Sequence, residues 1–138
     1  MRMNSIQLLS NHQLRKTQFR ERVLDIFLRY ERALSQKDLE EQLHESDRIT
    51  LYRTLKTFEE KGLIHKAIDG SDRLKYALCA GHCDVHAHHD HHAHFHCVTC
   101  ERTFCIEDVQ APALDAPPGF EVESTHVIIN GRCAECAH

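Results

Sequence analysis

The chain has 138 residues and a net charge of −4, split between a mildly basic stretch (residues 1–78, 15 Lys/Arg against 12 Asp/Glu) and an acidic one (residues 79–138, 2 against 9) that holds all seven cysteines and ten of the thirteen histidines. That length suits one domain, or two small ones helped by a metal or a partner. No apolar run nears the roughly 20 residues of a membrane span and Met1–Ile6 lacks the apolar core of a secretory leader, so no membrane partner and a cytoplasmic location are expected, where paired cysteines read as metal ligands rather than disulfides.

The first strong helical signal covers residues 17–31. Thr17 is a fitting N-cap, and Phe19, Val23, Leu24, Ile26, Phe27 and Tyr30 recur at helical spacing. Ser35-x-x-Asp38 is a second cap signal and opens a short helix through Leu39 and Leu43. A third helix spans about 49–61, with Ile49, Leu51, Leu55 and Phe58 inward and Gly62 as its stop. Two short apolar runs, 63–68 and 74–78, flank the turn Asp69-Gly70-Ser71-Asp72 and predict a β-hairpin.

Three helices followed by a hairpin make a winged helix-turn-helix. There the third helix enters the major groove. Its outward residues are Thr50, Tyr52, Arg53, Lys56 and Thr57. Arg53 suits a bidentate pair with a guanine edge and Tyr52 suits thymine methyls. Thr50, Lys56 and Thr57 suit phosphates. The competing reading is a solvated helix face.

The acidic stretch carries metal chemistry. Cys97-x-x-Cys100 and Cys133-x-x-Cys136 form two pairs, 32 residues apart. Such a set makes a closed tetrahedral all-thiolate site, suited to zinc or an iron–sulfur centre, that ties the C-terminus to a distant segment. Before the first pair lie Cys79, Cys83, two aspartates and eight histidines between 82 and 96. This mixed donor set suits a second, exchangeable metal. One locked metal and one exchangeable metal point to a sensor. Cys83 and Cys105 have no evident partner, except that Cys83 could join Cys79. No Ser/His/Asp set, phosphate loop or H-E-x-x-H pattern occurs, so neither an enzyme nor a small organic substrate is expected.

Asp47-Arg48-Ile49-Thr50-Leu51-Tyr52-Arg53-Thr54-Leu55, Glu60-Lys61-Gly62-Leu63-Ile64, the His-rich approach to Cys97-x-x-Cys100, and Gly131-Arg132-Cys133-Ala134-Glu135-Cys136 together resemble the ferric uptake regulator family. The match runs from about Leu14 to Cys136. The resemblance implies an α+β chain: a winged-helix DNA-binding domain (1–78) and a small α/β dimerisation domain (79–138) with a four-cysteine zinc site. It implies a metal-dependent repressor that binds palindromic operator DNA as a homodimer. It matches Tyr52 and Arg53 to major-groove residues and Arg15 to a basic residue that reaches the minor groove.

His65 early in the wing and Cys79 at its end resemble the zinc uptake regulator branch, which implies that they are two sensor ligands; His92 and His94, spaced i and i+2 and so on one face of a strand, could complete the site. One thiolate and three imidazoles favour Zn2+ over Fe2+. The iron-sensing branch usually carries a carboxylate at the wing end and His-Asp-His where this chain reads His92-Ala93-His94. Departures from the pattern keep other assignments open. The stretch Ala80–Asp90 is long and His-rich, so His88, His89, Asp90 or His91 could replace a sensor ligand. The helix expected between the strands of the C-terminal domain is interrupted by Pro112, Pro117 and Pro118. Direct counting puts the family's glutamate ligand near Pro112 and its late histidine at Thr125, which leaves His91, Glu107 and His126 as a third site. The alternatives are a family member that senses iron or peroxide, with Fe2+ or Mn2+ at the regulatory site, and a His-rich metal store or chaperone.

Overall fold

The computed structural model describes residues 4–43, 48–78, 92–110, 114–123 and 125–138, with the side chains of His92 and of residues 107–110 outside the description. Four helices lead: α1 (Ser5–Asn11), α2 (Gln18–Tyr30), α3 (Gln36–Leu43) and α4 (Arg48–Glu60). The described residues of the N-terminal part therefore hold one helix more than the sequence pattern predicts. α1 starts at a capping box: the Asn4 side chain accepts from the Gln7 N–H at 2.8 Å, and the Asn4 N–H donates to the Gln7 side chain at 3.0 Å. Asn-x-x-Gln is a readable start signal.

The other helix signals act as expected. Thr17 Oγ1 accepts from the Arg20 N–H at 3.2 Å and caps α2. Ser35 and Asp38 cap α3 reciprocally, at 3.1 and 3.0 Å. Gly62, at φ 77°, closes α4, with the Leu63 N–H bonding back to the Phe58 carbonyl at 2.9 Å. Leu51, Leu55 and Phe58 of α4 are fully buried, but Ile49 is 59% exposed, so the inward placement of Ile49 is corrected. Ile49 sits in the first turn, on the side that also carries Tyr52 and Arg53.

Leu9, Leu24, Phe27, Leu39, Leu51, Leu55 and Phe58 form one core with Leu63, Ile64 and Tyr76 of the hairpin. The hairpin strands β2 (Ile64–Lys66) and β3 (Lys75–Leu78) pair antiparallel, and a two-residue strand β1 (Leu34–Ser35) adds to β3, giving the order β1-β3-β2. Strand alternation gives this small sheet two distinct faces. Leu34, Ile64 and Tyr76 face the helices. The opposite face presents Ala33, Ala67 and Ala77, all buried, with Cys105 packed against them.

A second sheet has the order β5-β4-β6, with β4 (His92–Cys97) antiparallel to β5 (Thr103–Gln110) and parallel to β6 (Val127–Gly131). The alanines leave room for this sheet to lie close against the back of the wing. The Ala33 N–H donates to the Thr103 carbonyl at 2.8 Å, and the wing turn at Gly70 lies 3.8 Å from Ile128 Cδ1 when a Cβ is imagined there. The described residues of the C-terminal part show strands and no helix. Residues 114–123, in the proline-rich crossover, are irregular and mostly exposed.

Candidate metal centres and DNA-contacting face

The four paired cysteines converge. β4 delivers Cys97, the following turn delivers Cys100, and the turn after β6 delivers Cys133 and Cys136, so that all four sulfurs lie within 4.8 Å of one another. At the end of β6 the Phe95 ring packs on Gly131, where an added Cβ would meet it at 3.0 Å. Cys97 Sγ accepts the N–H groups of Cys100 at 3.4 Å and Cys133 at 3.3 Å. Those donors, the Cys100 amide first, hold its thiol down at about 5. A hydrogen bond with Cys133 pushes Cys136 up to about 12, and burial raises Cys100. Ligation would compete with protons on these two thiols.

The site passes a simple fit test. A tetrahedral ion with metal–sulfur bonds of about 2.3 Å has sulfur–sulfur edges of about 3.8 Å. Cys100 Sγ and Cys133 Sγ are 3.8 Å apart. The charged neighbour Arg102 pairs with Glu135 at 2.7 Å across the same two turns.

A second ligand group lies where the wing meets the C-terminal sheet. It joins His65 of β2 with His94 of β4 and Cys105 of β5, their ligand atoms within 4.8 Å. His94 and Cys105 are register partners. Both imidazoles are buried, at 4% and 2% exposure, with ring centroids 6.0 Å apart. Cys105 Sγ is 3.4 Å from His65 Nε2. One thiolate and one imidazole on a tetrahedral zinc would be about 3.6 Å apart, so these donors fit too.

Cys105 is the correction here: it has no evident partner in the sequence. Two of the expected sensor ligands, His65 and His94, meet. Cys79 and the His92 side chain lie outside the described residues, and the register of β4 against β5 shifts between His92 and Ala93. His88, His89, Asp90, His91 and Cys83 are outside as well. Of the third-site group, the Glu107 side chain is outside, and His126 is exposed and belongs to neither described ligand cluster.

Beside the second group sits a buried polar network whose sequence signal is only that of a turn. Lys75 Nζ lies 2.9 Å from Asp69 Oδ2, and donates to the Glu101 carbonyl at 2.5 Å and to Thr103 Oγ1 at 3.0 Å. Thr103 Oγ1 donates to Asp69 Oδ2 at 2.5 Å, while Ser71 donates its N–H and hydroxyl to Asp69 Oδ1 at 2.8 and 2.5 Å. His96 Nδ1 is 3.4 Å from Asp69 Oδ2. Burial alone would raise the Asp69 carboxyl. The donors Ser71, Thr103 and Lys75 outweigh it and hold the group far below the usual carboxylate range.

On α4, Thr50, Tyr52 and Arg53 are exposed, and Lys56 and Thr57 half-buried. Lys56 Nζ lies 5.6 Å from the Tyr52 ring centre and 3.8 Å from Glu59. Arg15 is exposed in the α1–α2 link, where its carbonyl accepts from Arg20 Nη1 at 2.9 Å.

The ferric uptake regulator family model matches residues 11–130. The chain belongs to this family. It is thus a metal-responsive transcriptional regulator and not an enzyme. The ferric uptake regulation protein of Staphylococcus epidermidis is 28% identical over 143 aligned residues, covering 96% of this chain and 94% of the relative. Among solved structures, a zinc uptake regulator complexed with zinc and DNA is similar at TM-score 0.64 and 24% identity, covering 96% and 89% of the two chains. A ferric uptake regulator from Francisella tularensis with iron is similar at TM-score 0.58 and 22% identity, covering 91% and 96%. These likenesses establish the family fold. Their metals differ, so the fold leaves the choice of ion to the donors at the site.

Proposed function

We propose that this chain is a zinc-responsive repressor that binds palindromic operator DNA as a homodimer in the cytoplasm, with residues 1–78 as the DNA-binding module and 79–138 as the metal-binding dimerisation module. The observation that carries the reading is the His65–His94–Cys105 cluster, which draws donors from both modules. Cys79 and the His92 side chain, outside the described residues, are the candidates for a fourth donor. A thiolate with imidazoles is softer than the oxygen-rich sets suited to Mn2+. The zinc uptake regulator bound to zinc and DNA supports the same branch. The four-cysteine site is the structural zinc.

A divalent cation at the cluster supplies bonds to the wing and to the C-terminal sheet at once. Only an arrangement with the two modules together presents all three donors to one ion, so the ion favours that arrangement over others by differential affinity. The favoured arrangement spaces the two α4 helices of the dimer for successive major grooves, about 34 Å apart. Operator binding should therefore tighten with buffered free Zn2+ and stay weak when Fe2+ or Mn2+ is supplied at its own cellular level. Measured by fluorescence anisotropy with labelled operator, an equal response to Fe2+ would turn the assignment to the iron-responsive alternative.

Arg53 and Tyr52 read bases, with Thr50, Lys56, Thr57 and Arg15 on the backbone and minor groove. Arg53→Ala should cost about 1–3 kcal/mol in specific binding and relax preference at one base position. Competition against single-base operator variants checks this. A uniform loss across all variants would place Arg53 on phosphate instead.

A further inference from the structure

We infer that Asp69, Lys75 and Thr103 form a positioning device that holds the wing in register against the C-terminal sheet and thereby sets His65 opposite His94 and Cys105. The inference rests on the regulatory role proposed for that cluster.

On the C-terminal sheet, His94 pairs with Cys105 and His96 with Thr103, two rungs of one ladder separated by the Phe95–Phe104 rung. Residues two apart on a strand share a face. The same face therefore carries the ligand rung and, one step along, the rung of His96 and Thr103. On the wing, His65 and Asp69 meet these rungs in the same order: His65 the first, Asp69 with Lys75 the second. The two sets of contacts are adjacent, and both cross from wing to sheet.

The second rung is closed. Lys75 has three N–H donors, and Asp69, Glu101 and Thr103 occupy them. Thr103 spends its hydroxyl proton on Asp69 and accepts from Lys75. The side chains of Asp69 and Lys75 are 1% and 6% exposed. An ion pair buried so fully gains little net stability over an apolar pair of similar volume, because desolvation offsets the attraction. What it adds is direction. Each bond has a narrow geometry, and sliding the wing by one residue would break all of them, whereas the alanine layer of Ala33, Ala67 and Ala77 offers smooth packing that tolerates a slide. The ion pair itself lies within the wing; what crosses to the sheet are the bonds of Lys75 to the Glu101 carbonyl and Thr103, the bond of Thr103 to Asp69, and the contact of His96 Nδ1 with Asp69 Oδ2.

Two variants of the full-length dimer, with the four-cysteine site loaded, test this. Asp69→Asn leaves the shape and removes the charge. The double variant Asp69→Leu/Lys75→Met replaces the pair by apolar groups, and should recover thermal stability if Asp69→Asn loses it. Zn2+ or Co2+ is titrated against a chelator buffer. Both variants should bind the second ion 10- to 100-fold more weakly, as removal of an outer-shell support typically does, while the first ion stays. A double variant that melts like wild type and binds the second ion with wild-type affinity would reduce the network to a structural role and overturn the inference alone. A wild type that takes only one ion per chain would overturn the regulatory reading, and this inference with it.

Discussion

Cys97→Ser should release the locked ion and unfold the C-terminal sheet while leaving the helical module folded. Cys97 is the least exposed of the four ligands and the one that two backbone amides already hold as thiolate. A serine hydroxyl will not ionise there. Structural zinc in small modules contributes roughly 10–16 kcal/mol of binding, as much as the whole net stability of a typical domain, about 5–15 kcal/mol. The C-terminal sheet has little else to draw on. Among the described residues the main apolar cluster lies within residues 8–78, and the second cluster draws only Cys105 from beyond residue 78. Far-UV circular dichroism should keep the helical signal, metal analysis should lose about one ion per chain, and sedimentation should report monomer. A variant that keeps its ion and remains dimeric would remove the four-cysteine site from its structural role.

The locked site is legible because it is written locally. Each Cys-x-x-Cys is a complete half-site, and joining two halves needs no knowledge of the path between them. The helix starts at Thr17 and Ser35 are legible for the same reason: the cap and its partner lie three residues apart. Asn4-x-x-Gln7 is equally local, but a terminus weighed only as a leader hides it. Ile49 is misplaced by pattern alone because one apolar residue in a first turn fits either face, and only Arg48 precedes it in the helix.

Cys105 is illegible for a different reason. Its partner His65 is forty residues away, on another sheet. Nothing near Cys105 marks it as a ligand. Only the antiparallel register that sets it beside His94, and the alanine layer that lets the two sheets approach, make it one. Asp69 shows in the sequence only the half of its chemistry that is local, the turn bond to Ser71. The other carboxylate oxygen answers to Thr103, thirty-four positions on. The chemistry proposed as regulatory is therefore concentrated in contacts that cross between the two parts of the chain.

That placement gives the second large effect. Cys105→Ser should abolish zinc-dependent operator binding while the dimer and its locked ion persist. The substitution removes the one described thiolate from a site whose other described donors are neutral imidazoles, and it sits beside small residues, so the fold has room for the change. Changing an outer-shell support costs 10- to 100-fold in affinity, so losing a ligand should exceed about 100-fold, or about 2.8 kcal/mol at 1.4 kcal/mol per decade. His94→Ala should match it. With Co2+ as probe, the sulfur-to-cobalt charge-transfer band of the second site should fall in Cys105→Ser and persist in His94→Ala loaded at high cobalt, which separates loss of a thiolate from loss of an imidazole. Cys79→Ser decides what remains. If Cys79 is the fourth donor, that variant loses intensity too, and the site holds two thiolates, softer than the set the family resemblance implies. If Cys79→Ser keeps the full band and the full zinc response while Cys105→Ser loses both, Cys105 is the sole thiolate of the sensor, and the fourth donor belongs to the histidines that precede β4.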